Sequence, residues 1–166
     1  MYTAFVVLHL ISVGVIIGLI TSAIIGTSMR KKIAGTPAEI AAIKNAATVA
    51  PIMANIGSNG LLITGVVMSL MQWSFFSYST LPWLAMKQTI FVIILIISFA
   101  SLMPRGKKIL TMATAELASP NAAKGASAEL LKLVNTQYAT TLFVGVLVLC
   151  NMILGESKAM MWAVGQ

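Results

Sequence analysis

Aspartate is absent from this chain of 166 residues, which has only four glutamates, one histidine and one cysteine. Charged residues make up 9% of it, against about 25% in a soluble domain. Each scarcity excludes something. The lone Cys150 leaves no intrachain disulfide and no CxxC metal or redox motif. Glu39, Glu116, Glu129 and Glu156 all fall outside the apolar runs, which argues against a carboxylate relay for protons or cations across a membrane. No lysine or arginine precedes the first apolar run, and Arg30, Lys31 and Lys32 follow it. That run therefore reads as a membrane span rather than a cleavable signal peptide.

What is abundant is apolar: 58% of the residues are hydrophobic, and the mean hydropathy is +0.95. About 20 apolar residues at 1.5 Å rise cross the hydrocarbon core. Four such runs occur, at about 2–28, 48–73, 82–103 and 132–154. The expected fold is all-α, a four-helix transmembrane bundle forming one integral membrane domain over 1–166. Its first partner is the lipid bilayer. The net charge of +7 is not laid out for nucleic acid, because the basic residues cluster beside the apolar runs.

Nine of the eleven basic residues (Arg30, Lys31, Lys32, Lys44, Arg105, Lys107, Lys108, Lys124 and Lys132) lie in the segments after the first and third runs. That asymmetry predicts a cytoplasmic position for both segments and places both termini on the other side. Thr36-Pro37-Ala38-Glu39 has the pattern of a helix start, with a hydroxyl N-cap, proline at the first position and glutamate three after the cap. The spacing predicts one helix from there into span 2, with Pro51 as a kink site. From Arg105 to about Leu131 short polar helix pieces are expected, starting near Ser119-Pro120 and Ser127. Trp73, Tyr78 and Trp83 would form an interfacial aromatic belt, with Trp162 a further anchor.

Span 1 divides into two faces. Gly14, Gly18, Ser22 and Gly26 recur every four residues and form a stripe for close helix contact, within the bundle or with another subunit. His9 lies about 140–180° from that stripe, on the side of Ser12, Ile16, Ala23 and Thr27. In span 2, Asn55 and Asn59 share one face, expected to pack inside the bundle by hydrogen bonds.

The topology also gives depths. His9 is roughly 10 Å and Lys87 about 7–8 Å below the outer surface. Gln72, Asn151 and Glu156 fall near the same level. The sparse polar groups thus converge in the outer leaflet. Histidine there ligates a metal or haem, carries a proton near neutral pH, or bonds a neighbouring backbone. Lys87 shares the site or snorkels to the interface. Haem on a single histidine needs a methionine, a lysine, an open position or a second subunit's histidine opposite. Eleven methionines raise a copper alternative through His9, Met68, Met71 and Met86, since thioethers suit Cu(I); methionine as a gap-filler is the competing account.

Phe5-x-x-Leu8-His9, the glycines behind it, the arginine-bearing loop, the glycine-containing span 2 and Pro82-Trp83-Leu84-x-x-Lys87 carry a resemblance. Over spans 1 to 3 the chain resembles the four-span bacterial membrane proteins grouped with copper-resistance D proteins and HemJ-type protoporphyrinogen oxidase, above all their uncharacterised relatives. The resemblance implies a bacterial cytoplasmic (inner) membrane. It also implies a part in haem binding or activity, with haem b the expected cofactor, for the residues matching the family's histidine and tryptophan-preceded lysine: His9 and Lys87. Three functions are expected from residues and resemblance together: a haem- or redox-associated membrane protein, a non-catalytic accessory subunit of a larger membrane complex or homo-oligomer, and copper handling.

Overall fold

The computed structural model describes residues 2–71, 76 and 82–164, with side chains between 3 and 154. Five helices make four rods: α1 (Tyr2–Lys32), α2 (Pro37–Met71), α3 (Pro82–Ile97) continuing into α4 (Met103–Leu117), and α5 (Ala128–Val164). All four rods are long and apolar enough to cross a membrane. The chain is an all-α, multi-pass membrane bundle, as the four apolar runs require. At 35 residues α2 is about 52 Å long, so it projects well beyond a hydrocarbon core of about 30 Å.

The third rod departs from expectation. It runs unbroken to Leu117 instead of ending near 103 in short polar pieces. Proline at 104 lacks the N–H that would bond the carbonyl four residues back, and its ring crowds that carbonyl. The chain absorbs this in a π-turn, Ser98–Leu102, where the Met103 N–H donates to the Ser98 carbonyl, and the helix then resumes. Beyond it, Ser119-Pro120 opens a 3₁₀ turn, Pro120–Lys124. Ser127 starts α5, its Oγ accepting from the Leu130 N–H at 3.2 Å.

Around the bundle, α1 neighbours α2 and α5, α4 neighbours α2 and α5, and α3 packs on α5. The third rod therefore stands diagonally across from α1. The most deeply buried apolar cluster lies at the basic end, where Ile40, Ile43, Ile109, Ala113 and Leu130 meet. There water supplies a hydrophobic driving force that lipid does not, so large aliphatic side chains are gathered inward. Along the spans the outward side chains are large and exposed, among them Leu10, Ile63, Ile96 and Ile153. The inward contacts there set small residues against aliphatic ones, as with Gly57 on Ile16 and Gly145 on Ile20, with Val144 and Val148 of α5 also buried.

The glycines at those contacts are not the ones on α1. Gly14, Gly18, Ser22 and Gly26 are all exposed, and a Cβ built on any of the three glycines meets nothing within 4 Å. A four-residue small stripe encodes a capacity for close approach, and no rod uses it among the described residues. The close approach between α1 and α2 is made instead by Gly57 and Gly60 of α2. A Cβ on Gly57 would sit 2.6 Å from Ile16 Cδ1, and one on Gly60 would run into the Ser12 side chain. Asn55 and Asn59 also depart from expectation. Both are exposed on the far side of α2, because the inward face is already taken by Gly57, Thr64 and Ser69.

The connection from α1 to α2 is locked by Glu39, which is 3% exposed. Its carboxylate accepts from the Gly35 N–H at 2.9 Å and pairs with Arg30 at 3.4 Å. Neither half of a reciprocal capping box is made: Glu39 takes the Gly35 N–H rather than that of Thr36, and the Thr36 hydroxyl donates to the Ile33 carbonyl while the Glu39 N–H bonds the Thr36 backbone carbonyl. The two loops of this end meet at Gly35 and Gly125, both with positive φ. A Cβ on Gly125 would stand 2.5 Å from Gly35 Cα.

Two outcomes follow for thermal unfolding in detergent. Gly125→Ala should lower stability by about 1–3 kcal/mol, from strain at φ +77° and the clash with Gly35. Gly57→Leu should destabilise by a similar amount by forcing α2 off Ile16, while Gly18→Leu should leave the monomer's melting temperature unchanged.

Candidate functional site

The packed face of α1 carries Phe5, His9, Ser12, Ile16, Ala23 and Thr27, each half-buried or buried, at helical spacing. Because Gly57 and Gly60 let α2 close on this face, His9 reaches across to it. His9 Nδ1 lies 2.8 Å from Thr64 Oγ1, and Thr64 is 3% exposed.

The direction of that bond is fixed by its neighbour. Thr64 Oγ1 also lies 2.6 Å from the Gly60 carbonyl oxygen. Two oxygens approach that closely only with a hydrogen between them, and a hydroxyl owns one. Thr64 therefore donates to Gly60 and accepts from His9, which must carry its proton on Nδ1. In the neutral ring, Nε2 is then the bare lone pair, available to ligate a metal or accept a proton. One turn further along, the Ser12 hydroxyl donates to the Leu8 carbonyl at 2.9 Å and completes the polar strip between the two helices.

Lys87 comes from the diagonal rod. It is half-buried near the start of α3. The start of α3 is pinned on both sides. Asn151 of α5 donates to the Lys87 carbonyl at 3.1 Å. Gln88 donates to Ser69 of α2 at 2.9 Å and accepts from the Phe76 N–H at 2.6 Å.

Not every candidate joins this group. Met68 is half-buried, but Met71 and Met86 are 43% and 46% exposed. Among the described residues, no group of three or more His, Cys, Asp or Glu is placed to hold a metal ion. Cys150 is exposed. Gln72, Trp73 and Tyr78 lie outside the described residues, as do the side chains of Glu156 and Trp162.

Thr64 and Gly60 escape a reading by residue type, because hydroxyls and glycines are ordinary in membrane helices. Counting depth along antiparallel spans could have found them: His9 is about seven residues from the outer end of span 1, and Thr64 about nine from that of span 2. A second polar cluster lies nearer the basic end. There Arg105 donates to Ser101 at 2.8 Å and to Thr140 at 3.0 Å, joining the π-turn to α5.

No protein-family model, curated protein or solved structure matches the chain.

The tautomer is directly measurable, since one histidine gives one pair of ring ¹⁵N resonances. The wild-type protein should show a protonated Nδ1 and a bare Nε2 at a pH where the ring is neutral. Thr64→Val should shift the ring toward the Nε2–H form, and Thr64→Ser should restore the wild-type pattern.

Proposed function

We propose that this chain is a haem- or redox-associated membrane protein whose site lies in the outer leaflet around His9 and Lys87. The observation that carries the reading is the fixed imidazole: Nδ1 is committed to Thr64, and Nε2 is left as the ligating atom. A ligating histidine held by its second nitrogen is the usual arrangement at metal and haem centres. Lys87 would neutralise a propionate or serve as the second ligand, and the bonds from Asn151 to its carbonyl and from Gln88 to Ser69 hold the start of α3 in place. Haem b suits a site with one imidazole and no cysteine pair for covalent attachment. When bound it would supply one-electron chemistry.

The resemblance of Phe5-x-x-Leu8-His9 and Pro82-Trp83-Leu84-x-x-Lys87 to the HemJ-type and copper-resistance D proteins supports the same pair of residues. On this reading both termini face away from the cytoplasm, in a bacterial inner membrane, consistent with the nine basic residues gathered at one end.

One observation favours a second reading. The Gly14, Gly18, Ser22, Gly26 stripe is exposed and open along its length, as an accessory subunit docking against a larger membrane complex would require. Copper handling ranks third, because it depends on methionines of which Met71 and Met86 face outward.

The deciding measurement is the absorption spectrum of the detergent-solubilised protein, as purified and after addition of haemin. The expected result is a Soret band that is lost in His9→Ala and displaced in Lys87→Ala. A spectrum that stays colourless after haemin addition, with His9→Ala indistinguishable from wild type, would overturn the haem reading.

A further inference from the structure

The face of α2 turned away from α1 carries two amides where lipid offers nothing to bond. Asn55 and Asn59 are both exposed, and Asn59 lies near the middle of the apolar stretch 48–71. Neither amide has a hydrogen-bond partner among the described residues. In hydrocarbon an unmade hydrogen bond goes uncompensated, so the two side chains call for a partner beyond the described helices.

Their neighbours say what kind. Ile52, Asn55, Asn59, Leu62 and Val66 are all exposed and spaced alternately by three and four residues. This is the seam of two helices packed side by side, in which asparagine fixes register. No charged residue occurs on α2 beyond Lys44. Two chains of net charge +7 can therefore meet along this seam without bringing like charges together.

We propose that the outward face of α2 is the contact between two copies of this chain, with Asn55 and Asn59 hydrogen-bonded across it. Two copies inserted in the same orientation are related by a two-fold axis along the membrane normal, so identical residues meet at identical depth. An amide is both donor and acceptor and is its own complement. Each asparagine then finds a matching group with no further condition, whereas an unlike partner would need polar residues at both depths. The seam lies on the side of α2 opposite the His9–Thr64 contact and is independent of whether His9 binds a cofactor.

The test uses the full chain in lipid bicelles. Thr48 lies one turn before Ile52 at the membrane surface and is exposed. Thr48→Cys in a Cys150→Ser background should therefore form a disulfide-linked dimer under mild oxidation. Adding Asn55→Leu and Asn59→Leu together should cut the linked fraction and the dimer by sedimentation by about tenfold. Asn55→Gln with Asn59→Gln should retain most of both. The leucine variants remove only outward polar groups, so helicity and the His9 ¹⁵N signals should stay as in wild type and report an intact monomer. A wild-type protein that sediments as a monomer overturns the proposal. So does a double leucine variant that dimerises normally, or a dimer that links through Gly26→Cys on α1 and not through Thr48→Cys.

Discussion

The close approach of α1 and α2 is the contact on which the site depends. Two missing side chains, at Gly57 and Gly60, let Ile16 and Ser12 sink toward the α2 backbone. Only at that separation does His9 reach Thr64, and only because Thr64 has already spent its proton on Gly60 is the ring held in one tautomer. A packing fact at the level of a methyl group becomes a chemical fact about which nitrogen is bare. Lipid around the bundle reinforces this, since it offers the ring no competing hydrogen-bond partner.

The two ends of the molecule are held by different forces. At the basic end, aliphatic side chains from α2, α4 and α5 make an ordinary buried cluster, and Glu39 ties Arg30 to the loop before α2. Within the spans the contacts are small residues and single hydrogen bonds, such as Gln88 to Ser69 and Asn151 to the Lys87 carbonyl. The first end makes a rigid base. The second leaves short polar links around the His9–Thr64 contact and the start of α3.

The four spans were legible because length and apolarity decide membrane crossing, and α2 begins at Pro37, where Thr36-Pro37-Ala38-Glu39 indicates. The two faces of α1 followed from periodicity. Partner choice was not legible. Spacing shows that Gly14, Gly18, Ser22 and Gly26 permit a close neighbour, but nothing local says whether that neighbour belongs to the same chain. Asn55 and Asn59 misled for a related reason. An amide in an apolar run calls for a partner, and the inward direction is only one place to find it. Thr64 was hidden by its ordinariness, since its meaning comes from a histidine 55 positions away. Span 3 was expected to end near 103, and the π-turn that carries the helix past Pro104 is a tertiary solution that no local pattern announces.

That π-turn has a geometric effect beyond rescuing the helix. A turn closed five residues back holds one residue more than its neighbours, so everything after it is rotated relative to a straight α-helix. Before the turn the rod packs mainly on α5, with Gln88 reaching Ser69 of α2; after it the rod packs broadly on α2, and Ile109 and Ala113 enter the basal cluster. The extra residue acts as a phase shifter. It lets one continuous rod present one stripe to α5 near its start and a different stripe to α2 further along. The spacing between the start of α3 and the basal cluster is thereby set by residue count rather than by a flexible joint.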